Sequence, residues 1–448
     1  MITIADQSGR AAGITAAKRQ HSRELTDTEK LRRLPWAFLH IATNTIFCQL
    51  TVFGSVFILF LTELGLDKAQ VGLLLAFFPL AGVIAPLVAP LVARLGYKRV
   101  FVTLWGARKL VIAGLLLTPM IAARYGAAGT LRFVTADMIA FALCRAIAET
   151  GMYPWMREFI PDRVRGRFAA AEILLTTFFG FLAVSFASYV IGRSRGLDGY
   201  MALIAVGVFF GLLATAAIAL VPGGAPQRGN GSAWPDLHAT RATLHDRDFV
   251  RFLVGLGLMT LAVVPLNSFL ALFARERLGL PQANVIFLQS AGLAGGLLFS
   301  YVWGWTADRV GSKPVMLAGV AAASALPLLW LAAPTGSPWT FGAALLAAFI
   351  TGACQPAWTI GSSRFLFMDV VPRDSTTHYM AVFYAWAGIT GATGAILAGR
   401  ILQSVSDSFG PAPRHGMDAY SVLFIASAIM ALASLIVLRG ARSQANPT

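Results

Sequence analysis

The sequence predicts an all-α membrane protein with twelve transmembrane helices in two pseudo-symmetric six-helix bundles and both termini in the cytoplasm. Three observations lead there. Apolar residues make up 57% of the 448-residue chain and charged residues only 13%. The apolar residues fall in long runs, and a polar stretch divides those runs into two related halves. A soluble domain carries about 25% charged residues, so lipid contact must replace the missing surface charge.

The runs lie near 36–62, 70–93, 100–122, 133–156, 167–192, 199–221, 249–274, 284–306, 314–334, 338–363, 376–402 and 419–438. Each is close to the roughly 20 residues that cross a bilayer as a helix. Residues 1–35 are polar and mixed in charge, with no small-residue cleavage site before the first run, and read as a cytoplasmic tail. Residues 439–448 read as a second tail. Net charge is +15. With the N-terminus inside, most of the Lys and Arg fall on cytoplasmic ends and loops, as the positive-inside rule requires. The basic excess is therefore a topology signal and a contact for anionic lipid, not a nucleic-acid site. Cys48, Cys144 and Cys354 are scattered within predicted helices, so neither a disulfide framework nor a thiolate metal site is expected.

Residues 222–248 carry Pro222, Gly223, Gly224, Pro226, Gly229 and Gly231 among charged residues, a composition that lipid cannot bury. They read as a cytoplasmic linker between bundles at 36–221 and 249–438. The bundles repeat one another. Ala-Pro-Leu-Val-Ala-Arg-Leu-Gly-Tyr-Lys at 89–98 aligns with Gly-Trp-Thr-Ala-Asp-Arg-Val-Gly-Ser-Lys at 304–313, and Glu158-Phe159-Ile160-Pro161 aligns with Asp369-Val370-Val371-Pro372 at nearly the same offset. Such duplication marks transporters whose halves rock about a midplane site.

The segment 304–313 resembles the G-x-x-x-D-R-x-G-x-K loop of the major facilitator superfamily. The twelve runs, the six-plus-six division and the central linker resemble that superfamily over essentially the whole chain. The resemblance implies a cytoplasmic latch that closes in the outward-facing state. Asp308 would accept from the free N–H groups of a helix of the other half, where Arg163, Arg165 and Arg167 stand ready, while Arg309 pairs with Asp369 and Arg94 with Glu158. The first copy departs from the pattern, with Ala89 and Ala93 at the Gly and Asp positions, which weakens that latch. A simpler reading makes these charges only part of the positive-inside surface.

Charged residues inside a bilayer cost about 2.5–3.5 kcal/mol each on insertion scales and face a cavity or a partner. Arg145 falls near the centre of the fourth run, with Glu149 one turn nearer the cytoplasm on the same face. Glu172 enters at a similar depth on the fifth, and Arg108 and Lys109 enter on the third, so this half carries a candidate charge network. Glu149 or Glu172 could take up and release a proton as the cavity turns wet and dry, or Arg145 could neutralise an anionic substrate. A permanent ion pair tying helices four and five together is the competing structural reading. An arginine in helix four also resembles a superfamily motif, but Glu149 stands where that motif has glycine.

By the same resemblance, helices one, four, seven and ten line the cavity, which selects Asn44, Gln49, Arg145, Asn267 and Gln355; Gln289, Tyr384 and Trp386 are further candidates. Pro265 and Pro356 would serve as bending points, and His40 and His378 read as solvated histidines. The glycine-rich helix five ending in Gly-Pro of drug antiporters is missing, as are sugar-porter signatures, Walker loops and any nucleophile elbow. The expected function is secondary active transport of a small organic solute by alternating access, coupled to protons, with export favoured. Uptake symport or facilitation, and a transport-inactive membrane sensor, are the alternatives. No enzyme activity, cofactor, metal or nucleic-acid partner is expected. The expected setting is a monomer in a bacterial inner membrane.

Overall fold

The computed structural model describes residues 26–226, 241–372, 376–409 and 418–441. The tails expected at 1–35 and 439–448 lie largely outside the described residues, as does most of the linker. In chain order the helices are α1 (Asp27–Thr51), α2 (Ser55–Glu63), α3 (Lys68–Ala81), α4 (Ala85–Leu95), α5 (Tyr97–Ala113), α6 (Thr118–Phe159) and α7 (Arg165–Arg193). They continue as α8 (Asp198–Ala219), α9 (Arg247–Glu276), α10 (Gln282–Val310), α11 (Ser312–Leu331), α12 (Thr340–Phe365), α13 (Thr376–Phe409) and α14 (Ala419–Arg439). No strand occurs among the described residues.

These residues contain eleven helical stretches long and apolar enough to cross a membrane. One of them, Tyr97–Phe159, has 63 residues, about 95 Å of helix at 1.5 Å per residue, or three bilayer cores. Gly126 breaks it with a non-helical backbone (φ 64°, ψ −167°). A Cβ on Gly151 would lie 3.2 Å from the Tyr97 carbonyl oxygen, and one on Gly114 would lie 2.8 Å from Asp137. Early positions thus meet late ones, as in an antiparallel hairpin.

Local chemistry explains most boundaries. Thr26 and Glu29 form a capping box that starts α1, so helix begins at Asp27, nine residues before the apolar run at 36. Asp67 and Gln70 cap α3 in the same way. Asp246 accepts from the N–H groups of Asp248 and Phe249 ahead of α9, and Asp418 from that of Ser421 ahead of α14. The two copies of the loop motif end α4 and α10 in the same way. Gly96 (φ 96°) and Gly311 (φ 99°) occupy the left-handed conformation open to glycine, and their N–H groups donate to the carbonyls of Val92 and Ala307. The first turn then holds the chain after α8, since the Lys98 N–H donates to the Gly224 carbonyl. The second holds the chain after α14, since the Lys313 ammonium donates to the carbonyls of Arg439 and Ala441.

Packing repeats with the sequence. α1 lies along α8 as α9 lies along α14, α5 along α6 as α11 along α12, and α1 along α7 as α9 along α13. Two seams join the early helices to the late ones, α3 with α13 and α7 with α10. The termini of the described chain, Asp27 and Ala441, share one face with the Gly96 and Gly311 turns, since Asp27 lies beside Arg163 and Ala441 beside Lys313. At this terminal face the apolar core is divided in two, one cluster around Phe101, Trp155 and Phe159 and another around Phe252, Phe365 and Leu438. At the opposite face a single cluster joins Phe57 and Phe60 to Phe269, Phe273 and Phe424. Leu87, Leu91, Leu110, Phe209, Leu298 and Ile436 are exposed on the outside, an apolar jacket that needs acyl chains around it.

Candidate functional site

Polar bonds between early and late helices gather at the opposite face. Glu63 at the end of α2 accepts from Arg275 (3.4 Å) and Gln282 (3.0 Å), and Tyr200 donates to Gln282 (3.0 Å). Lys68 at the start of α3 contacts Glu276 at 2.7 Å, donates to Ser406, and offers its backbone N–H to Gln403. Ser188 donates to the Ala283 carbonyl. Deeper in the molecule, Gln289 donates to Gln49 at 2.7 Å, and the Ser55 N–H at the start of α2 donates back to Gln289 at 3.1 Å. Gly54 (φ 80°) makes room for that amide, because a Cβ there would fall 2.3 Å from it. The first predicted run is therefore a broken helix whose second piece is capped by a side chain from α10.

The terminal face has the opposite character: its ion pairs stay local. Asp308 pairs with Arg364 at 2.5 Å, both in the later half. Arg163 approaches Asp27, and Arg165 pairs with Asp162. Glu158 accepts from the Gly224 N–H at 3.0 Å, while Trp155 donates to the Pro222 carbonyl. The expected pairs Arg94–Glu158 and Arg309–Asp369 are not among the ion pairs of the described residues, nor does Asp308 meet the 163–167 arginines. Arg94 is exposed, and the Arg309 guanidinium lies 4.1 Å from the centre of the Trp305 ring. The divided core keeps Asp308 from the 163–167 arginines, because the two sets of helix ends stand apart here, whereas within each half Glu158 is taken by the Gly224 N–H and Arg309 by the Trp305 ring.

Between the separated ends opens a cavity of about 910 Å³, lined from α3 and α4 by Pro79, Pro86 and Pro90, from α6 by Arg145, Glu149 and Tyr153, and from α13 by His378 and Tyr384. Arg145 Nε donates to Glu149 Oε1 at 2.7 Å, and both side chains are partly exposed. The pair lies within one helix, which corrects the reading of an ion pair between helices four and five. Glu172 does not join it. It is exposed on α7, and α7 packs on α1 and α10 instead of on α6. Tyr153 lies within electrostatic reach of both acids.

Arg108 and Lys109 form a second group behind the cavity, 1% and 0% exposed. Both donate to Asn44 Oδ1, at 3.0 and 2.7 Å. Arg108 lies over the Trp105 ring at 3.1 Å and Lys109 over Phe47 at 3.5 Å, so aromatic faces stand in for a carboxylate. Asn44 is thus spent on the cations and is not a cavity wall.

A second cavity, about 390 Å³, lies at the α7/α10 seam and collects Asn267, Gln289 and Gln355 with Thr177 and Ser300. Trp386 donates to the Leu253 carbonyl and packs against Gly257, a structural role. His40 is buried, bonds the Ala214 carbonyl and packs beside Phe101 and Trp105, which corrects its expected solvation; α8 covers it. Pro265 and Pro356 sit inside unbroken helices, and the actual breaks fall at Val52–Gly54, Gly82–Ile84 and Gly114–Leu117. One intramembrane acid was missed by the sequence reading. Asp137 on α6 buries Oδ2 without a partner among the described residues; a third charged residue in the fourth apolar run, beside Arg145 and Glu149, was the available signal. No group of His, Cys, Asp and Glu among the described residues is arranged to hold a metal ion.

A bundle of membrane-length helices around a cavity open at one face defines a multi-pass integral membrane protein built for transport. The Major Facilitator Superfamily model matches residues 39–366 and 266–447, and the chain belongs to that superfamily. No curated protein matches the sequence. Among solved structures, the nucleoside transporter NupG is similar at 17% identity with a TM-score of 0.66, covering 90% of this chain and 98% of that one. The xylose transporter XylE from E. coli follows at 15% and 0.63, covering 92% and 98%. A bacterial homologue of the iron transporter ferroportin in its inward-facing state gives 14% and 0.65, covering 91% and 98%. These likenesses concern the fold. The protein is a transporter and not an enzyme.

Proposed function

We propose that this chain is a twelve-span secondary transporter with cytoplasmic termini, made of two six-helix halves at 36–221 and 249–438. It moves a small organic solute by alternating access, with a proton as the driving ion and export as the favoured direction. The observation that carries the reading is the uneven distribution of bonds between the halves. They are joined by hydrogen bonds, two ion pairs and a shared core at one face, and a 910 Å³ cavity separates them at the other. Positive-inside placement makes the open face cytoplasmic, so the conformation is inward-open. Arg94, Glu158, Asp308, Arg309 and Asp369 then stand as latch residues waiting for the cytoplasmic ends to meet.

Within the cavity, Arg145 and Glu149 are the substrate and coupling groups, with Tyr384 facing them from α13 and Glu172 an outlying second acid. The 910 Å³ volume falls within the roughly 300–1,000 Å³ typical of sites for drug-sized ligands. Asn267, Gln289, Gln355 and Gln49 form the neutral polar layer that a solute meets on the far side of the cycle.

The test is flux in proteoliposomes with a ligand found by thermal shift. Wild type should accumulate it against a gradient when a pH difference is imposed, and Glu149→Gln should lose that dependence while retaining counterflow. Full pH-driven accumulation by both Glu149→Gln and Glu172→Gln would overturn proton coupling.

A further inference from the structure

The cavity and the layer behind it carry unequal charge. Arg145 uses only Nε on Glu149, and its two Nη groups take no acceptor among the described residues. Behind it, Arg108 and Lys109 share one neutral acceptor, Asn44 Oδ1, and Arg108 Nε is buried with no partner. Glu149 lies within electrostatic reach of Arg108. His40, on the same helix as Asn44, is committed to the Ala214 carbonyl, and Glu172 stands apart on α7. This layer holds two guanidinium groups and a buried lysine against the one carboxylate bonded to any of them, an excess of basic over acidic groups in a medium that screens poorly.

The remaining wall is different. Phe78, Pro79, Pro86, Pro90 and Met380 make one apolar side, with the Tyr153 and Tyr384 rings at its edge. A free guanidinium fork is a bidentate receptor for a planar anion, and the apolar wall suits a ring or a short chain attached to it.

Resting on the transport reading above, we infer that the cavity takes an amphiphilic organic anion. Its carboxylate, or an equivalent planar anionic group, sits on the Nη fork of Arg145, and its hydrocarbon body lies along the prolines of α3 and α4. Glu149 keeps Nε and holds the fork toward the cavity, which makes it a positioning residue for the anion. The buried Arg108 guanidinium, within electrostatic reach of Glu149, supplies the second positive group that lets two carboxylates meet beside Arg145. A neutral or cationic solute of the same shape gains nothing from that surplus.

The experiment uses the full-length protein in nanodiscs of neutral lipid and three probes of one shape: 4-phenylbutyrate, 4-phenylbutanamide and 4-phenylbutylamine. The carboxylate should raise Tm and bind at least tenfold more tightly than the amide, and the amine should not bind. Arg145→Gln should weaken carboxylate binding tenfold or more. Arg145→Lys, which keeps the charge and loses the fork, should fall between that variant and wild type. Glu149→Gln should tighten binding severalfold, because one competing negative charge is gone. Tighter binding of the amine, equal binding of the carboxylate to wild type and Arg145→Gln, or binding of no probe at millimolar concentration would overturn the inference. Amine binding with pH-driven amine flux would do so while leaving the transport reading intact. Carboxylate binding as described, with pH-driven flux unchanged in Glu149→Gln, would instead remove the coupling role.

Discussion

The two faces of the bundle solve the same problem in opposite ways. At the closed face, early and late helices share one aromatic core and exchange bonds through Glu63, Lys68, Tyr200, Arg275, Glu276 and Gln282. At the terminal face each half has its own core, and its charges turn inward to their own half: Asp308 to Arg364, Lys313 to the end of α14, Glu158 to the chain after α8. On the alternating-access proposal, the difference locates the energy of the cycle. Opening the closed face would break bonds between the early and late helices, whereas at the terminal face no ion pair between them occurs among the described residues.

The largest expected effect comes from the α3/α13 seam, which closes on backbone and not on side chains. A Cβ at Gly399 would lie 2.5 Å from the Lys68 carbonyl oxygen and 3.1 Å from the Gly72 Cα. Gly399→Leu should force the helices apart at a cost of about 1–3 kcal/mol, typical of overpacking. Spin labels across the seam should report a wider spacing and thermal unfolding a lower Tm; unchanged values for both would show that this approach does not hold the face shut.

Removing the acids of the closed face comes next. Glu63→Ala with Glu276→Ala deletes the partners of Arg275, Gln282 and Lys68 and should favour the alternative state by about 1–2 kcal/mol, since partly wet pairs are individually modest. A cysteine at Ser55 should then react up to about tenfold faster with an impermeant thiol reagent added at that face. An unaltered rate would mean the core alone keeps it closed.

Gln289→Ala removes two bonds between the halves, to Gln49 and to the Ser55 N–H. Buried hydrogen bonds in membranes average about 0.6 kcal/mol each, so the same labelling assay should show a rise of severalfold at most. The smallest effect is expected at the other face. Asp308→Asn breaks an exposed pair within one half, worth about 0–1 kcal/mol. It should leave Tm within a degree or two and act only on the return of the latch, seen as slower exchange in counterflow; a large fall in Tm would show that the pair is a structural support.

Much of this architecture was legible from the residues alone. The apolar runs, the proline- and glycine-rich break after 221 and the duplicated turns are one-dimensional patterns with direct physical meaning, and Gly96 and Gly311 adopt matching left-handed conformations at the expected spacing. The pairing of Arg145 with Glu149 was readable too, because an i,i+4 spacing brings side chains together on any helix. What could not be read was which helix stands beside which charge. Glu172 matches the depth of Glu149 but lies on a helix that packs elsewhere, and Asn44 is taken by two buried basic side chains, Arg108 and Lys109, instead of lining the cavity. His40 looked solvated from its place in the run, and α8 covers it.

The amino-acid order by itself determined that this chain lives in lipid and that its apolar segments are long enough to cross it, because those properties follow from transfer energies summed along a single helix. The tertiary structure alone decided that one face is sealed and the other open, that Gln289 fills the break in the first helix, and that two buried basic side chains, Arg108 and Lys109, stand behind Arg145. Those facts depend on contacts between residues far apart in the chain, which no local preference sets.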